Sequence, residues 1–83
     1  MREGEYYGTH YYWDSEEREY TLLATWFFEK NYPEMPDYWI LKDLEVEVQE
    51  PGSPDIDVSE GSDVWCYVDL DGPPMKLEEV HYI

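Results

Sequence analysis

Basic side chains are scarce in this 83-residue chain: Lys and Arg number 5 against 21 Asp and Glu, a formal net charge of −16 at pH 7. Direct binding to DNA or RNA is excluded by that sign, because affinity for a polynucleotide comes largely from cations that neutralise phosphates. An anionic lipid surface is disfavoured on the same ground. Cysteine is nearly missing too. Cys66 stands alone, so no intramolecular disulfide can form, and a reducing cytoplasm is the expected compartment. No apolar run approaches the roughly 20 residues of a membrane-spanning helix. Residues 1–7 are acidic and aromatic, without the apolar centre of a secretory leader, so none is expected.

Aromatics are plentiful: nine Tyr, four Trp and two Phe make 18% of the chain. That content argues for a folded body, since highly charged chains stay disordered when they lack aromatic and β-branched residues. The length allows one core, so residues 1–83 are read as a single acidic domain. Acids recur along the whole chain, at Glu3 and Glu5, through residues 14–19, at Glu34 and Asp37, and onward to Glu79. A tail would gather them at one end; here the folded body carries the charge.

Hydrophobic alternation locates the strands. Leu44, Val46 and Val48 alternate with Glu45, Glu47 and Gln49, the period of a strand with one wet face. Val64, Cys66, Val68 and Leu70 repeat the pattern, with Trp65, Tyr67 and Asp69 opposite, which predicts a second strand and a buried, inert Cys66. The sequence Asp71, Gly72, Pro73, Pro74 marks a turn, and residues 75–83 suit a last short strand with His81 near its edge. Residues 49–63 form an acidic loop with Pro51, Gly52, Pro54 and Gly61, in which Ile56 and Val58 fit a short hidden strand.

Two readings compete in the first half. Tyr20, Leu23, Ala24, Phe27 and Phe28 share one face of a helix, with Pro33 to stop it. Tyr20, Leu22, Ala24, Trp26 and Phe28 equally share one face of a strand, and the segment is rich in aromatics and Thr. With residues 5–13 as its neighbour and residues 14–18 as a loop built on a type I turn, a hairpin results. The expected fold is all-β, a small antiparallel meander of about five strands. The alternative is α+β, with one helix at about residues 15–30 on an antiparallel sheet.

No motif supplies catalysis, so the chain is read as non-enzymatic. Asp55, Asp57 and Ser59 begin like a calcium loop, but the glycine expected sixth is Gly61 at the seventh position, and the twelfth is Cys66 rather than Glu. His10, His81 and Cys66 lack zinc-site spacing, so no metal and no cofactor are expected. Among 21 acids, close pairs arise by chance and carry no argument for acid-base chemistry.

The charge itself is the remaining signal. Alternate residues on a strand lie about 6.8 Å apart, similar to neighbouring phosphates, so Glu45 and Glu47 would form a regular anionic row. Asp55, Asp57, Glu60 and Asp63 extend it through the loop, Asp69 and Asp71 add a second line, and exposed Trp65 and Tyr67 would anchor a partner. In overall character the chain resembles the small acidic nucleic-acid mimics, many of them phage-encoded, that block restriction enzymes, repair enzymes or CRISPR complexes. The resemblance is one of composition and transfers no site residue. It implies a basic nucleic-acid-binding protein or complex as partner and, for a phage protein, the host-cell cytoplasm. Two alternatives stand beside it: a small virion or complex subunit joined through an aromatic patch of Tyr6, Tyr7, Tyr11, Tyr12 and Trp13, and a halophile-adapted protein.

Overall fold

The structure, a computed structural model, describes residues 2–30 and 38–80. Strands β1 (Gly4–Trp13), β2 (Glu19–Glu29) and β3 (Tyr38–Gln49) are followed by helix α1 (Asp63–Asp71) and a two-residue strand β4 (Glu78–Glu79). They make a 4-stranded sheet of order β3-β2-β1-β4 with every pairing antiparallel. The expected antiparallel sheet is present, with four strands rather than five and one short helix among the described residues.

Residues 19–29 are a strand, as the pleat pattern predicted. Tyr20, Leu22, Ala24, Trp26 and Phe28 are all buried on one face, while Thr21, Leu23, Thr25 and Phe27 between them are half-buried on the other. A helix could not separate these two sets, because its period is 3.6 residues and not two. The hairpin loop is closed by a hydrogen bond from the Glu17 N–H to the Asp14 carbonyl (2.9 Å). Glu17 then takes φ 62°, a left-handed conformation more natural to glycine, which turns the chain into β2.

Strand β3 bends around the core through two register shifts. Trp26 faces Leu41 and Thr25 faces Asp43, so Lys42 is the inserted residue; Leu22 faces Val46 and Thr21 faces Val48, so Glu47 is the second. Each insertion reverses the in-out parity. Leu41 and Leu44 are therefore both buried despite odd spacing, and Val48, expected on the apolar face, is 58% exposed.

Residues 63–71 are helical, which overturns the second expected strand. Ser62 caps the helix by accepting the Trp65 N–H at its Oγ (3.2 Å), and the Gly72 N–H closes the far end on the Val68 carbonyl (3.0 Å). Val64, Trp65 and Val68 lie on one helical face and pack on Tyr20, Leu22, Ala24, Trp26, Leu41 and Leu44. The alternation of Val64, Cys66, Val68 and Leu70 is thus accidental. Cys66 is exposed, not buried, and Leu70 is 90% exposed.

The hidden strand at Ile56 and Val58 does not form; both side chains instead pack against the core and tie the loop down. After α1 the chain crosses β1 at Gly8, where an added Cβ would stand 2.6 Å from Pro74 Cγ and 2.9 Å from Leu77 Cδ2. This close approach requires glycine. Of the last expected strand, residues 75–83, Glu78 and Glu79 alone among the described residues are in strand, opposite Tyr7 and Tyr6; residues 81–83, with His81, lie outside the described residues.

Candidate functional site

Ten acids fall between Asp43 and Asp71 without one Lys or Arg among them: Asp43, Glu45, Glu47, Glu50, Asp55, Asp57, Glu60, Asp63, Asp69 and Asp71. All of these side chains are exposed. Three elements present them. Strand β3 carries the first three, the connection 50–62 the next four, and α1 the rest.

The structure redraws the expected array in several places. Glu45 projects from the outward face of β3 beside Asp43, but Glu47 is the inserted residue of a bulge, so the regular row of Glu45 and Glu47 is broken. Asp43 and Glu45 are the pair with strand spacing. Asp69 and Asp71 do not form a line, since two residues along a helix turn about 200°, placing them on opposite flanks of α1. Trp65 is 9% exposed and belongs to the core cluster, which removes it as an anchor. Tyr67 remains exposed, its ring meeting Tyr12 edge-on at 5.8 Å.

The loop acids Asp57 and Asp63 come together. They line one cleft of about 440 Å³ with Tyr12 and Ser62. Asp57 accepts the Ser59 hydroxyl (2.6 Å) and the Ser59 N–H (3.0 Å), and these bonds hold its carboxyl below the usual range. Asp63 occupies the first turn of α1, where the exposed amide ends of the helix favour a negative side chain. The loop is pinned beneath by Tyr20, whose hydroxyl donates to the Pro54 carbonyl (2.9 Å), and by Gln49, whose amide donates to the Ser53 carbonyl (3.1 Å). The acids are therefore held on a supported backbone.

The arginines sit elsewhere. Arg18 donates to Asp14 (2.8 Å) and Glu16 (2.9 Å) in the hairpin loop, and Arg2 pairs with Glu79 at the β1–β4 edge. Lys42 extends over the Phe27 ring, 5.9 Å from its centroid. No ion pair among the described residues involves the acids of the 43–71 span.

His10 is buried beside Trp26, and burial lowers its pKa against the opposing pull of Asp71. It faces inward while Cys66 faces solvent, and no three His, Cys, Asp or Glu side chains among the described residues converge as a metal-ligand set. No described helix is long and apolar enough to cross a membrane. The tyrosines of the expected aromatic patch are divided between the sheet faces. Tyr6 is buried and Tyr12 half-buried against the core side, while Tyr7, Tyr11 and Trp13 lie on the outward side.

Sequence inspection missed two site features: the absence of any base from residue 43 to residue 71, visible in the sequence as a charge run interrupted by apolar residues, and the helix that carries its end. Ser62 and Gly72, nine residues of helix apart, with Val64 and Val68 four apart between them, were the available signals for the helix. No protein-family model matches the sequence, and no curated protein or solved structure shows significant similarity to it.

Proposed function

We propose that this chain is a non-enzymatic binding protein that imitates a nucleic acid, seating its carboxylates in the basic groove of a nucleic-acid-binding enzyme or complex and inhibiting it. The observation that carries this reading is the run of ten exposed acids across residues 43–71 with no cation interspersed. Neutral solubility needs only a modest net charge, and a denser one works against compaction. Charges placed without compensation on a pinned loop, a strand and a capped helix are suited to a cationic counterpart. Such a counterpart would be attracted at long range, and its cognate DNA or RNA displaced by competition.

The test is competition for an identified target. The protein is used to capture a basic nucleic-acid-binding protein at low and at moderate salt, and the complex is challenged with a nucleic acid that target binds. Displacement by the nucleic acid, and loss of inhibition when Glu45→Gln, Glu47→Gln, Asp55→Asn and Asp57→Asn are combined, is the expected result. A quadruple variant that competes as well as the parent removes these positions from the contact.

A second reading, a small assembly subunit, draws on Tyr11 and Trp13, each 54% exposed on the outward sheet face. It predicts concentration-dependent self-association with little salt sensitivity.

A further inference from the structure

α1 and the 50–62 connection contribute to the core on one face of the sheet; at the β1 edge of the opposite, outward face, Pro74, Lys76 and Glu78 line a cleft with Tyr7, Thr9 and Tyr11. At the hairpin end of that outward face stand Tyr11 and Trp13, two residues apart on β1, with ring centroids 6.4 Å apart and planes inclined by 33°. Glu19 lies directly across from Trp13 on β2, and it is exposed. Opposed residues on an antiparallel pair hold their Cβ atoms about 5 Å apart, so the carboxylate and the indole border the same space. Two rungs from Trp13 and Glu19, past Tyr11, Thr21 and Val48, Thr9, Leu23 and Glu45 align across β1, β2 and β3, which places Glu45 about 10 Å from the β1 column. The same face already holds a cation on a ring at its other end, where Lys42 covers Phe27.

We infer that Tyr11, Trp13 and Glu19 form a receptor for an arginine side chain of the basic partner, with the guanidinium laid on the aromatic rings and its edge hydrogen-bonded to the Glu19 carboxylate. This rests on the reading above that the partner is basic, and it adds which cation is preferred and where. Arginine fits better than lysine because its planar group stacks on an aromatic face while its N–H fork still addresses a carboxylate. Charge selects the occupant: a second copy of a −16 chain brings more acid to a face already edged by Glu19 and Glu45, whereas a basic partner brings the missing sign. The receptor also supplies the aromatic anchoring that Trp65, being in the core, does not.

The experiment compares an oligo-arginine and an oligo-lysine peptide of equal length by calorimetric titration at low ionic strength, using the full chain. The parent is expected to bind the arginine peptide about fivefold more tightly. Tyr11→Ala combined with Trp13→Ala should abolish that preference while leaving lysine-peptide binding intact, and Glu19→Gln should reduce it. Combined neutralisation of Asp55, Asp57, Glu60 and Asp63 should weaken both peptides alike and keep the preference. Circular dichroism confirms that each variant is folded, and Trp13→Phe, which retains a ring, should retain most of the preference if the parent fold is sensitive to truncation. Equal binding of the two peptides by the parent, or a preference that survives the double alanine variant, overturns the receptor while the acidic-mimic reading stands. Self-association of the parent that is lost in the double variant assigns the face to a second copy and likewise overturns it. Failure of both peptides to bind removes the acidic-mimic reading and the receptor together.

Discussion

The hairpin of β1 and β2 and the span from residue 43 to residue 71 treat charge in opposite ways. In the hairpin loop, Asp14 accepts the backbone N–H groups of Glu16 and Arg18 (2.9 Å each) and the Arg18 side chain (2.8 Å), and Arg18 also reaches Glu16. Every contact there shapes a turn. In the 43–71 span the acids meet no cation among the described residues, and only Asp57 is shown with local hydrogen bonds, from Ser59. Paired charge thus marks the place where the chain must turn, and unpaired charge marks the surface left for something outside the molecule. The two regions are joined through Tyr20, fully buried, whose hydroxyl reaches Pro54 in the acidic connection.

The comparison is broken most sharply through the core. Trp26→Ala, at a side chain 1% exposed on β2, is expected to cost about 3–5 kcal/mol and to collapse both regions, whereas Leu70→Ala on the outer side of α1, at 90% exposure, should change stability by no more than about 0.5 kcal/mol. Denaturant titration of the two variants decides this; equal losses would mean that α1 is seated differently on the sheet. Next in size, Gly8→Ala should destabilise by about 1–3 kcal/mol, because its methyl group meets Pro74 and Leu77 where the chain returns from the acidic span. A neutral Gly8→Ala would show that this crossing is not close.

A smaller effect of opposite sign is expected in the turn. Glu17→Gly relieves a left-handed backbone at φ 62° and should raise stability by up to about 1 kcal/mol. The acids of the other region are expected to oppose folding through mutual repulsion, so the four-fold variant Glu45→Gln, Glu47→Gln, Asp55→Asn, Asp57→Asn should melt no lower than the parent and gain less from added salt. A lower melting point with unchanged salt response would make those side chains structural.

The subtlest difference is in pH dependence. Hydrogen bonds from the Arg18 backbone N–H, the Arg18 side chain and the Glu16 N–H hold the Asp14 carboxyl below its ordinary value. A carboxyl lowered in the folded state contributes stability that is complete above its unfolded pKa, near 4, and is lost as pH falls through the lower folded value. Asp14→Asn should therefore flatten the acid limb of the stability profile below about pH 4, measured by thermal melts across that range. His10 adds a separate limb at higher pH: burial lowers its pKa, so its contribution is complete above about pH 6.5 and declines as pH falls through the depressed folded value.

Much of the sheet was legible because a strand with one buried face writes its pattern at period two. Tyr20 to Phe28 obey that period without a break, and the loop between β1 and β2 carries its own turn chemistry in Asp14. Strand β3 was legible as a strand but not in its facing, because the insertions at Lys42 and Glu47 answer to register with β2 and leave no local mark. Helix α1 was misread for a related reason. Val64 and Val68 satisfy both the two-residue and the four-residue spacing, so nine residues hold too few apolar positions to separate the periods. The site inherited both errors. Trp65 moved into the core with the helix, while Tyr67 stayed exposed as expected and Tyr11 and Trp13 joined it outside.

By itself, the sequence determined the sign and density of the charge and the absence of an intramolecular disulfide, and it narrowed the central segment to a hairpin or a helix, since composition and short-range alternation are local quantities. Tertiary structure decided which side of β3 faces water, that residues 63–71 wind into a helix, and which aromatics stay outside. Those outcomes depend on how the elements dock over Ala24 and Gly8, where small side chains let the returning chain approach, and docking is not written in any one segment.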